Sequence, residues 1–481
     1  MESNKNADKR LSTLINHKLV PDDTEVFALL LLGLYALLPL IMSFLHCLGL
    51  YSYFYGYLYI YEKIFLAIGF LLLLILILQQ KYRRDGLLSA ERLRKEPWIP
   101  LFAFIPLWSI PCAALSVDPR HAFLGTDYNL DGVLSLFLYG CFFLAVRSLK
   151  RERLRRRLLT LLAAASLPVA LIVLAEGFGM PFFFEAFSDN SGHAACFTNS
   201  NHCGYYLCTA GAVLAGLIAF PDETASAREQ RQQRTALSLF FGILVYAMLI
   251  NDTLGSELGL VFAVLIMLPL FTRLSGRRIG LKALLPAIIL LTLILLDCAE
   301  LIPLGSARSI RVSLLRMGSD VGKVVSGSED AAQAGSSRWG LWQHYFQCFL
   351  QHPLFGLGPE GLEQPYTIYL NYLRAHNEYL IVLSSLGLPG FLAYFGGLYS
   401  LCAVCVKRIR QLSPLALTAA VGVMGYLFSA FFGNQKFNIY PYFWILLGCL
   451  AAENTAESRD LPLRTRETGP KMPAPAAKNV K

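Results

Sequence analysis

Apolar residues recur in long runs from residue 26 to residue 453, separated by short polar and basic stretches. A hydrocarbon core of roughly 30 Å takes about 20 helical residues to cross. Runs near 26–50, 57–79, 98–116, 130–146, 158–175, 203–220, 236–250, 256–271, 283–299, 378–406, 414–433 and 438–453 approach that length. Helices satisfy every backbone donor and acceptor inside lipid, so the pattern predicts an all-α polytopic membrane protein of about twelve transmembrane helices. One large extracytoplasmic loop with short helices interrupts them. The expected organisation is a cytoplasmic segment 1–25, helices one to nine over 26–299, the loop over 300–377, helices ten to twelve over 378–453, and a disordered cytoplasmic tail 454–481. No small-residue cleavage site follows the first run, which therefore reads as a retained helix and not a signal peptide.

Charge sets the orientation. Short cytoplasmic loops retain lysine and arginine. The segments 1–25, 80–97, 147–157, 221–235, 272–282, 407–413 and the tail hold 33 of the 42 basic residues, and they alternate without exception along a twelve-helix chain. Both termini and these loops are predicted to be cytoplasmic. The net charge of +9 thus belongs to topology beside a lipid bilayer and gives no reason to invoke nucleic acid. With 55% hydrophobic and 16% charged residues, the composition adds nothing that contradicts a membrane bundle. Eleven cysteines fall mostly within the apolar runs, and the Cys402/Cys405 pair lacks the second pair that a metal site would need.

Six of the nine remaining basic residues (Arg308, Arg311, Arg316, Lys323, Arg338 and Arg374) lie in the long loop. A loop of that length translocates largely regardless of charge, so it is free to keep arginines for an anion. Its first part, 305–337, is rich in polar and small residues and reads as a mobile surface segment with short helical pieces. After a serine cap at Ser336 or Ser337, Trp339, Trp342, Tyr345, Phe346 and Phe349 follow at helical spacing and give an aromatic face suited to the headgroup boundary. Pro353 and the glycines of HPLFGLGPEG end that helix, and RAHNEYL leads into the tenth run. Taken alone, the helix reads as a packing element and His376 as a helix cap.

In combination, R-x3-W from Arg338, then HPLFGLGPEG, HNEYL and GLPG resemble the bacterial O-antigen ligase and O-antigen polymerase superfamily. Arg338, Gly356, Gly358, His376, Asn377 and Glu378 fall on that pattern. A second match is FTNSNHCGYYL (197–207), where Asn199 and Asn201 occupy an NPN-type segment and Ser200 stands in the proline's place. One departure is Glu257 in NDTLGSELG, where many members carry an arginine. Arg308, Arg311 and Arg374 are candidates to supply the missing charge, and Glu257 itself is either a water-boundary residue beside Asp252 or a contact for the acceptor.

The resemblance implies a GT-C-like glycosyltransferase bundle in the bacterial inner membrane. It would move a glycan from an undecaprenyl-diphosphate-linked donor to a hydroxyl of a glycan, lipid or wall-polymer acceptor on the outer face, with no cofactor and no metal. Arginine suits a diphosphate leaving group and histidine suits removal of the hydroxyl proton, so Arg338 is assigned to the diphosphate and His376 to the base. Asp127, Asp131, Asp189, Asp320, Glu329 and Asp330 are too scattered to suggest a carboxylate metal pair. Ligase and polymerase are alike at this level. A flippase for lipid-linked oligosaccharide shares the helix count but calls for paired broken helices, and a non-catalytic scaffold would account for Glu257.

Overall fold

The computed structural model describes residues 20–48, 54–82, 88–126, 130–180, 193–197, 199–278, 280–361, 374–434 and 436–454. The expectations for 1–19, for Asp127 and Asp189, for 362–373 and for the tail beyond 454 lie outside the described residues. Within them, every regular element is helical.

All twelve apolar runs are helices, several longer than their apolar stretch. The first is bent by 53° between Val20–Ala36 (α1) and Leu38–Cys47 (α2), where Pro39 interrupts the ladder of amide donors. Phe54–Tyr82 (α3), the short Ala90–Lys95 (α4), Trp98–Ala114 (α5), the short Pro119–Leu124 (α6), Val133–Ser148 (α7) and Glu152–Gly177 (α8) complete the first half. Ser200–Ala219 (α9), Ala227–Asn251 (α10), Leu254–Leu274 (α11) and Leu281–Cys298 (α12) follow. Helix α10 starts nine residues before its apolar run, because Ser226 and Glu229 form a reciprocal capping box at its polar end. Seven described helices are long and apolar enough to cross a membrane, or eight if the bent pair is one span, and α5 and α7 are shorter apolar helices.

Helix α9 is the axis of the bundle: 94% of its apolar stretch is buried, against 22% for α12, where Leu281, Leu291 and Leu295 are exposed. Small residues permit that central position. At Gly216 an added Cβ would stand 2.8 Å from the backbone of Thr418, on Pro414–Ala430, so only glycine allows the two helices their close approach.

Between α12 and the next span, Ile310–Ser326 (α13) is one continuous helix where short mobile pieces were expected. Ser309 caps its start, Gly327 ends it at φ 64°, and Leu314, Met317, Val321 and Val325 line one exposed apolar stripe. Arg338–Gln351 (α14) follows, then the long Glu378–Lys407 (α15), Pro414–Ala430 (α16) and Tyr440–Glu453 (α17).

Two details of α14 depart from expectation. Ser337 precedes the helix with φ 68°, and in that left-handed geometry its hydroxyl makes no capping bond. The aromatic face is divided: Tyr345 and Cys348 pack against Ala375 and Ile381, with Trp342 beside them, while Phe346 and Leu350 are exposed.

Helix α15 is broken at Gly387 (φ 64°, ψ −170°), and the HPLFGLGPEG turn is what closes the break. Leu388 N donates to Pro353 O at 2.8 Å, Leu357 N to Ser384 O at 2.9 Å, and Gly358 N to Ser385 O at 3.0 Å. Trp108 Nε1 donates to Leu386 O at 2.9 Å. The glycine-rich turn and the GLPG segment are thus two halves of one backbone lock, satisfying groups that a broken helix leaves open inside a bundle.

Polar contacts sort the connecting segments into two faces. On one, Arg147 binds Glu96 in a buried bidentate pair, Arg155 binds Glu453, Arg156 approaches Asp222, and Arg277 pairs with Glu223. On the other lie Arg338, Arg374, Arg308 and their partners. Several basic residues counted above as topology signals are therefore also buried structural cations.

Candidate functional site

The first turn of α9, the first residue of α14, the approach to α15 and the loop before α17 meet on the second face. Asn199 caps α9 by accepting the amide of Asn201 at 2.8 Å, which turns the Asn201 side chain toward α14. Arg338 Nη2 donates to Asn201 Oδ1 at 3.4 Å, joining the two motifs identified in the sequence across 137 positions. Asn377 caps α15, its Oδ1 accepting Leu380 N at 3.1 Å, so the capping role belongs to Asn377 and leaves the His376 ring free for other work.

His376 is held by its neighbours in a conformation it would not choose. Its φ is 48°, a left-handed value that costs a non-glycine residue on the order of 1 kcal/mol or more. Ala375 O accepts Trp342 Nε1 at 2.8 Å, and Trp342 packs edge-on against Phe431 at 5.2 Å, so α14's inner aromatic face pins this turn. The ring's Nδ1 lies 3.3 Å from the side-chain amide of Asn434. Burial, then the guanidiniums of Arg338 and Arg374, push the imidazole from 6.5 down to about 3. It is therefore neutral at physiological pH, with a lone pair available.

Cationic and polar groups gather around it. His202, buried in the first turn of α9, lies within electrostatic range of His376, Arg374 and the buried Lys436. Three helix N-termini (α9, α14 and α15) converge here, each presenting the positive end of its dipole. The assembly favours an anion.

The other predicted residues have distinct surroundings. Arg374 Nη1 binds Asp131 Oδ2 at 2.7 Å, while Tyr139 donates to Asp131 Oδ1 at 2.8 Å. Glu360 accepts the amides of Thr126 and Asp131, at 2.8 and 2.5 Å. This chain of contacts ties the RAHNEYL segment to the start of α7 and to the HPLFGLGPEG turn. Glu378 is wholly buried and accepts the hydroxyls of Tyr394 at 2.8 Å and Tyr426 at 2.7 Å, so it anchors the first turn of α15 from below.

Arg308 pairs with Asp252 at 2.7 Å, and Ser313 also bonds that carboxylate. Arg311 is exposed on α13. Glu257 is buried at the start of α11, in electrostatic range of Asp252 and Asp297. Asp297 accepts Ile310 N at 2.8 Å and so holds the start of α13. Arg308, Arg311 and Glu257 thus belong to an α11–α12–α13 corner, whereas Arg338, Arg374, Asn201 and His376 form a separate group.

Sequence reasoning missed His202, Asn434 and Lys436. The signal was present: NQK (434–436) is a polar island between two apolar runs, and a histidine at the head of an apolar helix is expensive unless it has a role.

Residues 239–395 match the family model for O-antigen ligase, a stretch that runs from α10 to the part of α15 just past its break and includes Arg338, Arg374, His376, Asn377 and Glu378. The match supports the O-antigen ligase-like superfamily. Comparison with curated proteins gives no match.

Proposed function

On the premise of an O-antigen ligase-like membrane protein, we propose that it transfers a glycan from undecaprenyl diphosphate to an acceptor hydroxyl at the His376–Arg338 site. The observation that carries this reading is a half-buried histidine set among arginines and three helix N-termini. The donor's diphosphate lies against Arg338, whose planar guanidinium meets two phosphate oxygens at once. His376 takes the proton of the acceptor hydroxyl as its oxygen attacks the anomeric carbon. The bond from that carbon to the phosphate oxygen breaks, and undecaprenyl diphosphate leaves with its charge offset by Arg338.

The arginines have a second effect on the base. Burial first, and after it these guanidiniums, hold His376 at about 3, too low for strong general-base catalysis. A bound diphosphate offsets their field and raises the imidazole, so the base strengthens when the donor arrives. Arg374, engaged with Asp131, and Asn377 and Glu378, engaged with α15, fix His376 in place. Asn199 and Asn201 orient Arg338. By the distribution of lysine and arginine, the site lies on the outer face of the inner membrane and the Arg147–Glu96 face in the cytoplasm. Ligase and polymerase chemistry are the same here and differ in the acceptor.

The test is release of undecaprenyl diphosphate by the purified protein supplied with lipid-linked glycans and acceptor membranes from its host. His376→Ala is expected to lose about 10²–10⁴ in rate, the usual contribution of general-base catalysis. Arg338→Ala should fail with it, and Arg338→Lys should recover only part, because a lysine ammonium cannot make the bidentate contact. Wild-type rates from folded His376→Ala and Arg338→Ala proteins would remove the site from consideration.

A further inference from the structure

Asn434 lies outside the stretch matched to the ligase family and on the loop between α16 and α17, yet its amide group is the polar partner at His376 Nδ1, 3.3 Å away. Its other terminal atom, Oδ1, is buried without a hydrogen-bond partner among the described residues. A buried carbonyl left unpaired costs about 1–3 kcal/mol. The nitrogen and oxygen of a side-chain amide have nearly the same shape, so which one faces a neighbour is settled by the hydrogen bonds each orientation allows. With the amide turned by a half rotation, the oxygen meets Nδ1 and accepts its proton.

We propose that Asn434 is the positioning residue of the base: its carbonyl oxygen holds His376 as the Nδ1–H tautomer, leaving Nε2 bare to take the acceptor's proton. The inference rests on the proposed role of His376 as base. A neutral imidazole carries one proton on either nitrogen, and the wrong choice turns a base into a donor. With Nδ1 engaged by the loop, Nε2 is the atom left for substrate.

The loop is held firmly enough to do this. Tyr205, one turn into α9, donates its hydroxyl to Phe432 O, and Gly433 rests on the Tyr205 ring so closely that an added Cβ would stand 2.6 Å from it. Phe432 N donates to Ser429 O at 2.9 Å, and Tyr440 N to Lys436 O at 2.8 Å, so both ends of the loop are tied to helices. Phe431 meets Trp342, the same side chain that pins the backbone of Ala375. Ring orientation and tautomer are thus set by one connected assembly.

The charged and titratable groups acting on the imidazole are Arg338 from α14, Arg374 from its own segment and His202 from α9, with Lys436 acting on His202; Glu378 follows two residues on. A carboxylate at position 434 adds the one charge of opposite sign in contact with Nδ1.

Asn434→Asp and Asn434→Leu separate the roles. Aspartate offers only acceptors, so it keeps the Nδ1 proton, retains turnover within about tenfold of wild type at its own optimum, and moves the acid limb of the rate profile to higher pH because it favours the imidazolium. Leucine keeps the volume and removes the acceptor, and kcat is expected to fall tenfold or more with KM little changed. Rates are measured as undecaprenyl diphosphate release by the full-length protein with host lipid-linked glycans, alongside thermal unfolding to establish that each variant folds. Nitrogen NMR of ¹⁵N-histidine-labelled protein, with His376 identified by its loss in His376→Gln, reads the tautomer without reference to activity. A protonated Nδ1 in the wild type, lost as the single form in Asn434→Leu, supports the proposal. A protonated Nε2 in the wild type, or an inactive but folded Asn434→Asp, overturns it. Full activity in His376→Gln would instead sink the base assignment, whatever the tautomer.

Discussion

His376 shows how the surroundings of one residue set its conformation and its charge. Its backbone is strained, its ring is half-buried, and loss of water around it, followed by two arginines, holds its proton affinity down to about 3. The sign for stability follows from the two states. Unfolded, the imidazole titrates near its ordinary 6.5 and takes up a proton as pH falls, whereas folded it does not do so until about pH 3. Its contribution to stability is therefore fully present above about 6.5 and is lost as pH falls toward 3. Thermal unfolding of the detergent-solubilised protein between pH 7 and pH 4 should show a steeper loss for wild type than for His376→Gln; equal slopes would refute the half-buried, uncharged state. RWGLW and HNEYL singled out Arg338 and His376 in the sequence. Their meeting with Asn201 and Asn434 was not legible there, because it depends on residues 137 and 58 positions away in the chain.

At the scale of an element, the break in α15 depends on one glycine and the turn that closes on it. Gly387 sits at φ 64°, and an added Cβ would lie 2.2 Å from Leu354 O, so Gly387→Ala should destabilise by about 2 kcal/mol or more and lower activity with it. Gly318 is the matched control. It lies exposed within α13 with open space around its would-be Cβ, and Gly318→Ala should add about 0.5–1 kcal/mol through helix propensity alone. Thermal unfolding of the two variants checks both signs, and a stabilised Gly387→Ala would mean that the turn is not locked as described. The twelve apolar runs announced the helices correctly because period and length are local properties. The backbone lock between HPLFGLGPEG and GLPG was invisible, since glycine in a sequence says that an unusual conformation is available and not which carbonyl will fill the gap. Helix α13 was read only as short pieces because its stretch is rich in polar and small residues, although Ser309, Asp297 and Gly327 fix both of its ends.

For the whole molecule, the two faces of the bundle differ in what their arginines do. On the face assigned to the cytoplasm, Arg147 and Glu96 are buried together at 2.7 Å, and removing one partner strands the other's charge. Glu96→Gln is expected to cost about 3 kcal/mol or more, while the paired Glu96→Leu/Arg147→Met replacement should recover most of it, since a buried ion pair is often no more stable than well-packed apolar residues. On the site face, Arg338 is half-buried, and its recorded side-chain hydrogen bond is to a neutral amide, an arrangement that suits a visiting anion. This asymmetry has a consequence for orientation that can be measured. The described cysteines are all buried or half-buried, so native labelling by a bulky thiol reagent should be low. A new cysteine at Ser326, exposed at the end of α13, should react in intact cells with a reagent that cannot cross the membrane. One at Arg231, exposed in the first turns of α10, should react only after the membrane is opened. The reverse pattern would put His376 in the cytoplasm and break the link between the lysine and arginine distribution and an outward-facing glycan transfer site.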